Sequence, residues 1–98
     1  MRPQRIEPRD AFMSRISVAW EEDGGPKNHP GMLEDRSPSG AGISVSQPIP
    51  VGTKVKLSGK RRELAGVVRY CRRVELNYLV GIKLDEVDAA WATSGADL

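Results

Sequence analysis

The side chains best equipped for chemistry begin with two arginines four residues apart, in the stretch Arg5-Ile6-Glu7-Pro8-Arg9. A guanidinium is planar, permanently charged and bidentate, so it suits phosphate oxygens, and it also stacks on flat bases. Pro8 stiffens the segment and biases Glu7 away from helix. With the chain extended, the two Cα atoms lie roughly 13 Å apart. With the chain bent, both guanidiniums can converge on one polyanion. The spacing alone is a weak signal, because it recurs by chance in basic tails.

The second element is Asp35-Arg36-Ser37-Pro38-Ser39-Gly40. A carboxylate at the end of a strand can accept two hydrogen bonds from the N1–H and N2–H₂ edge of a guanine, and Ser37 adds a donor or acceptor. Gly40 removes a side chain where the backbone must turn or approach a ligand. Asp, Ser, Pro and Gly are also ordinary turn residues, so taken alone the composition favours a plain β-turn.

Other reactive groups are sparse. The one histidine, His29, lies in a Gly/Pro-rich stretch and reads as a solvated residue without the orienting partner a general base needs. The one cysteine, Cys71, sits in a strand pattern beside arginines and reads as structural. It excludes an internal disulfide and any zinc site built on paired cysteines. Glu21, Glu22 and Asp23 are adjacent and read as a strand end rather than an acid/base pair. No phosphate-loop, nucleophile-elbow or HExxH pattern is present. The expectation is a binding protein, not an enzyme, with no cofactor and no metal.

These groups must be positioned by short strands. Residues 11–22 are rich in strand formers, with Ile16, Val18 and Trp20 on one face. GGPKNHPG (24–31) reads as a loop, 32–35 as a short strand, 37–40 as a turn, and 41–46 as a strand with Ile43 and Val45 on one face. PIPVG (48–52) is a turn. Thr53, Val55 and Leu57 alternate with Lys54 and Lys56, the pattern of a half-buried strand. A hairpin turn is expected at 58–60. A long strand over 61–73 sets Val68 and Tyr70 against Val67 and Cys71. A final strand over 78–84 places Tyr78, Val80, Ile82 and Leu84 on one face, with Gly81 opposite, where a small residue permits close approach. Asp85 suits a helix N-cap, predicting a helix over 86 to about 93 and a frayed tail over 94–98. Residues 1–10 read as a flexible arm and 11–93 as the folded domain. Strands at hairpin spacing predict a small closed antiparallel barrel, since closure removes exposed edges.

Composition agrees with one such domain. The chain has 98 residues, 39% hydrophobic and 29% charged, with a net charge of +2. Ten Gly and seven Pro favour turns over long helices. No apolar run approaches the ~18 residues of a membrane helix. Charges throughout residues 1–15 leave no apolar signal-peptide core, so the expectation is a cytoplasmic protein without membrane insertion. Residues 54–73 hold eight basic residues against Glu63. They form either a solvated strand face or, joined to the basic arm, a local anion site.

Taken together, RxxxR (Arg5, Arg9) followed by DxSxxG (Asp35, Ser37, Gly40) resembles the signature of PilZ domains. The flanking sequence is similar as well: EPRDAF before ISVAW, DRSPSGAGISV before PIPVGTKVKL, and AGVVRYCRRVELNYLVGIKL near the end. The resemblance spans about residues 2–92. It implies an all-β fold, a six-stranded antiparallel β-barrel with a short C-terminal helix. It also implies a receptor for the bacterial second messenger cyclic di-GMP. By that resemblance Arg5 and Arg9 clamp phosphates and stack on guanine, while Asp35, Ser37 and Gly40 make the other guanine contacts. A downstream protein partner is implied too.

The sequence departs from the family pattern at Arg36, where an apolar residue is expected, and at Pro38. Arg36 then either adds a phosphate contact or is solvated. Gln4 stands where many relatives carry another Arg, which leaves one ligand or a stacked pair open. Arg69, Arg72, Arg73 and Tyr78 are candidate outer contacts that the signature does not assign. A PilZ-like adaptor that binds protein and no nucleotide is the alternative, although the intact signature argues against it. A nucleic-acid binder using the 54–73 strip lacks the interleaved aromatics such surfaces use, with Tyr70 alone in that strip.

Overall fold

The computed structural model describes residues 10–60 and 62–87, with side chains described from Ser14 onward. Six antiparallel strands close into one barrel. They are β1 (Asp10–Glu22), β2 (Gly25–Ser37), β3 (Gly40–Val45), β4 (Lys54–Ser58), β5 (Glu63–Val74) and β6 (Asn77–Leu84). Around the barrel the order is β1-β2-β3-β6-β5-β4, closed by β4 against β1. The closing seam is short and pairs Ser17, Val18 and Ala19 with Ser58, Leu57 and Lys56.

Alternation builds the interior. Ile16, Val18 and Trp20 of β1 meet Leu33 of β2, Ile43 and Val45 of β3, Val55 and Leu57 of β4, Val68 of β5, and Val80, Ile82 and Leu84 of β6. Ile49, between β3 and β4, is fully buried and plugs this core. Each such side chain contributes about 1.5–3 kcal/mol relative to leaving it in water.

Three irregularities in register decide which way the polar residues point. Pairing of β2 with β3 shifts between Leu33 and Asp35, and pairing of β1 with β2 shifts between Ala11 and Ser14. Pairing of β5 with β6 shifts between Val68 and Tyr70. An extra residue in one strand inverts the inward–outward alternation beyond it. Leu33 and Arg36 therefore both face inward, three residues apart, and Asp35 and Ser37 face outward. On β5, Val68 and Cys71 face inward and Tyr70 outward. The face assignment that grouped Val68 with Tyr70 against Cys71 is corrected by this bulge.

The stretch 24–31 is strand rather than loop from Gly25 onward. Asp23 and Gly24 make the turn, with Gly24 and Gly25 at positive φ, and β2 runs back along β1 from the Glu22–Gly25 pair. Pro26 and Pro30 are tolerated because β3 joins β2 only from Gly31 on. Over 25–30 one side of β2 is an edge, where a missing N–H leaves no ladder bond unmade. His29 is consequently not a solvated loop residue. It is half-buried, with its ring stacked on Trp20 at 5.3 Å between centroids. Trp20 Nε1 donates to Glu22 Oε2 at 2.9 Å.

At the C-terminal end, Asp85 N–H donates to the Ala65 carbonyl at 3.0 Å, and residues 85–86 form a bend. No helix occurs among the described residues. The expected helix lies outside them from residue 88 on. Also among the described residues, no helix is long and apolar enough to cross a membrane.

Candidate functional site

Asp35, Ser37 and Gly40 meet on the outer wall where β2 turns into β3. Asp35, Arg36 and Ser37 belong to β2, only Pro38 and Ser39 form the turn, and Gly40 opens β3 opposite Ser37. The motif is thus both a turn and the end of a strand. Arg36 is the exception within it: it is 2% exposed and faces inward, in the place where an apolar residue was expected. It is therefore not a solvated residue. Arg5 and Arg9 lie outside the described residues. Asp10, the residue covalently joined to Arg9, pairs with Arg36, and Ala11 pairs with Asp35. Strand β1 therefore begins beside the motif.

Glycines shape this wall for different reasons. A Cβ on Gly40 would stand 2.8 Å from the Ile82 carbonyl oxygen and 3.7 Å from Ser37 Oγ. Gly40 is thus required by close packing of β3 on β6, with no positive φ involved. A Cβ on Gly42 would stand 2.9 Å from Asp35 Oδ1 and 3.2 Å from its Cγ and Oδ2. The Asp35 carboxylate therefore lies across the Gly42 backbone.

Cross-strand pairing extends the row. Asp35 is opposite Gly42, Gly42 opposite Gly81, and Gly81 opposite Tyr70. A Cβ on Gly81 would collide with the Tyr70 ring, so that ring lies across Gly81 as the carboxylate lies across Gly42. Two adjacent glycines thus make a floor without side chains, covered from one side by an acceptor and from the other by an aromatic ring. The parallel row one step along runs Ser37, Gly40, Lys83, Val67, and the row on the other side ends in Leu79 and Arg72. Lys83 and Arg72 are exposed. Each sits two residues along its strand from the floor row, roughly 7 Å. An acceptor and an aromatic face flanked by cations suit a flat, hydrogen-bonding, anionic ligand.

The other sequence candidates divide. Arg69 is the exposed bulge residue of β5, and Arg73 donates from Nε to the Glu75 carbonyl at 3.1 Å in the β5–β6 turn. Tyr78 is turned inward and packs against the core, so it is not an outer contact. Gly42 was not a candidate from sequence, and Tyr70 entered only as the one aromatic of the 54–73 strip. Their signal is a register relation across four strands, which no local window contains. Among the described residues no group of three or more His, Cys, Asp or Glu side chains could hold a metal ion.

The PilZ domain family model matches residues 3–91, nearly the whole chain. The chain belongs to the PilZ family. PilZ domains are binding and adaptor domains, and the family is associated with cyclic di-GMP binding. No individual curated protein matches the chain.

Proposed function

We propose that this PilZ domain is a cyclic di-GMP receptor that passes the signal to a protein partner. One observation carries the reading. The Asp35 carboxylate, Ser37 and the Gly40 edge share one outer patch, and β1 begins directly beside it at Asp10, the residue that follows Arg9 in the sequence. Asp35 accepts from the N1–H and N2–H₂ edge of a guanine, and Ser37 adds a hydroxyl contact. Gly40 keeps the approach low. Arg5 and Arg9 supply guanidiniums to the phosphates and a stacking plane to a base. A cyclic dinucleotide carries both chemistries at once, two phosphate charges and two flat guanines.

The test is isothermal titration of the whole chain with cyclic di-GMP, with GTP as control. Micromolar or tighter binding that GTP does not reproduce is expected. Arg9→Ala and Asp35→Ala should each weaken it more than tenfold. Absence of heat at high protein concentration would refute the receptor reading and move the function to a nucleotide-independent adaptor.

A further inference from the structure

We infer that the split between β1 and β4 is a docking groove for one extended segment of a partner protein, in which apolar and acidic residues alternate. The inference rests on the proposed function only for there being a partner. It is tested with no nucleotide present, so its failure leaves the cyclic di-GMP reading untouched. The two strands pair only over Ser17, Val18 and Ala19 with Ser58, Leu57 and Lys56. Both extend past that seam, β1 as far as Glu22 and β4 back to Lys54. The same register would next bond Glu21 to Lys54, yet the ladder stops one step short of them.

Main-chain bonds show which groups the split leaves over. Gly59 N–H donates to the Arg62 carbonyl at 3.2 Å, and Val68 N–H donates to the Thr53 carbonyl at 2.9 Å. Thr53 and Gly59 therefore turn their main-chain groups toward β5. That direction alternates along a strand, so Lys54 turns its N–H and C=O the other way, into the split. An open edge of this kind is a template for an added strand.

Side chains around the split decide what that strand must carry. The groove encloses about 930 Å³. Trp20 and Val55, each 4% exposed, line its apolar inner side. Lys54 and Lys56 are exposed on β4, on either side of buried Val55. Lys27, on the opposite wall, is half-buried and pairs across the strands with Trp20. Lys56 lies 3.9 Å from Glu63, but among the described residues Lys27 and Lys54 have no ion pair. Glu21 and Asp85 are the acidic members of the lining. Glu21 belongs to the β1 edge, so an acidic strand is repelled there and attracted on the β4 edge. A strand added to β4 presents every second residue to Trp20 and Val55, and the residues between them to Lys54 and Lys56. Apolar residues fit the first set and carboxylates the second.

The probe is a capped peptide of alternating Val and Glu, titrated into the isotope-labelled whole chain. One control alternates Val and Lys. The other holds the same Val and Glu residues in two separate blocks. The Lys54 amide should shift downfield and exchange more slowly with the Val–Glu peptide, as it gains an acceptor. Affinity for that peptide should exceed that for the Val–Lys peptide roughly fourfold or more. The block peptide should leave the Lys54 amide unchanged. Lys54→Gln keeps the N–H and removes the charge, so binding should weaken about 1.5- to fivefold. Lys54→Pro removes the N–H as well and should abolish binding, with folding checked by thermal melts. If that variant does not fold, the parent's Lys54 amide reports the same bond without substitution. No response at Lys54 up to millimolar peptide, or an equal response to either control, would overturn the inference. Equal losses in Lys54→Pro and Lys54→Gln would overturn strand addition. A Lys54 amide already slow to exchange in the free chain would overturn it too. Concentration-dependent protection would assign the groove to a second copy, and concentration-independent protection would assign it to the chain itself.

Discussion

Adding one methyl group to Gly42 should disable the site without unfolding the barrel. The Cβ of Gly42→Ala would stand 2.9 Å from Asp35 Oδ1, and ordinary contact begins near 3.4 Å, so the oxygen must retreat by roughly 0.5 Å. The obstacle is the end of a side chain rather than a fixed backbone atom, so it can rotate away. An off-rotamer χ costs about 0.5–1.5 kcal/mol. Replacing Gly by Ala in a strand returns about 0.5–1 kcal/mol of backbone entropy. The two nearly cancel, and stability should change by less than about 1 kcal/mol. Binding is different, since a hydrogen bond to N–H donors works within a few tenths of an ångström. A hydrogen bond to a charged acceptor contributes about 1.5–3 kcal/mol, so its loss weakens affinity roughly ten- to 150-fold. Titration of Gly42→Ala with cyclic di-GMP, beside a urea melt, measures both quantities. Asp35→Ala and the double variant complete a cycle. The double variant should bind no worse than Asp35→Ala alone, because both changes remove the same acceptor. Unchanged affinity in Gly42→Ala, or additive losses in the double variant, would refute the reasoning.

Two further expectations concern the scaffold. Ile43, fully buried at the centre of β3, should cost about 2–5 kcal/mol when changed to Ala, read as a lower urea midpoint at unchanged slope; a loss under 1 kcal/mol would mean the core collapses around the gap. Glu75 holds φ at 58° in the β5–β6 turn, a conformation that costs a non-glycine residue about 1–2 kcal/mol, so Glu75→Gly should raise stability by up to about 1 kcal/mol after glycine's own entropy cost, with the Arg73 bond to the carbonyl of residue 75 kept; an unchanged or lower midpoint would show that glycine's entropy cost equals or exceeds the strain relieved.

Much of the barrel was legible residue by residue. The alternation of Val55 and Leu57 with Lys54 and Lys56, and that of Tyr78, Val80, Ile82 and Leu84, is local. Each strand carries it within a few residues, and the structure places those side chains inward as the pattern requires. The turn at 38–39 was equally visible, because Pro and Ser favour it on their own account. The prolines of 24–31 misled for the same reason. They signal a break locally, and only the absence of a neighbour along one side of β2 makes them harmless.

The site itself divides along this line. Residue types, together with the family resemblance, put Asp35, Ser37 and Gly40 forward as candidates, since a carboxylate, a hydroxyl and a missing side chain keep their chemistry wherever the chain puts them. Tertiary structure decided their direction. The shift between Leu33 and Asp35 turns Arg36 into the barrel and Asp35 out of it, and the shift between Val68 and Tyr70 does the same for Cys71 and Tyr70. A bulge is a mismatch between two strands, so neither strand's sequence contains it. The glycine floor is likewise a relation among four strands: Gly42 and Gly81 become one surface only when β3 pairs with β6, and the Asp35 carboxylate and the Tyr70 ring lie over it only because β2 and β5 flank that pair.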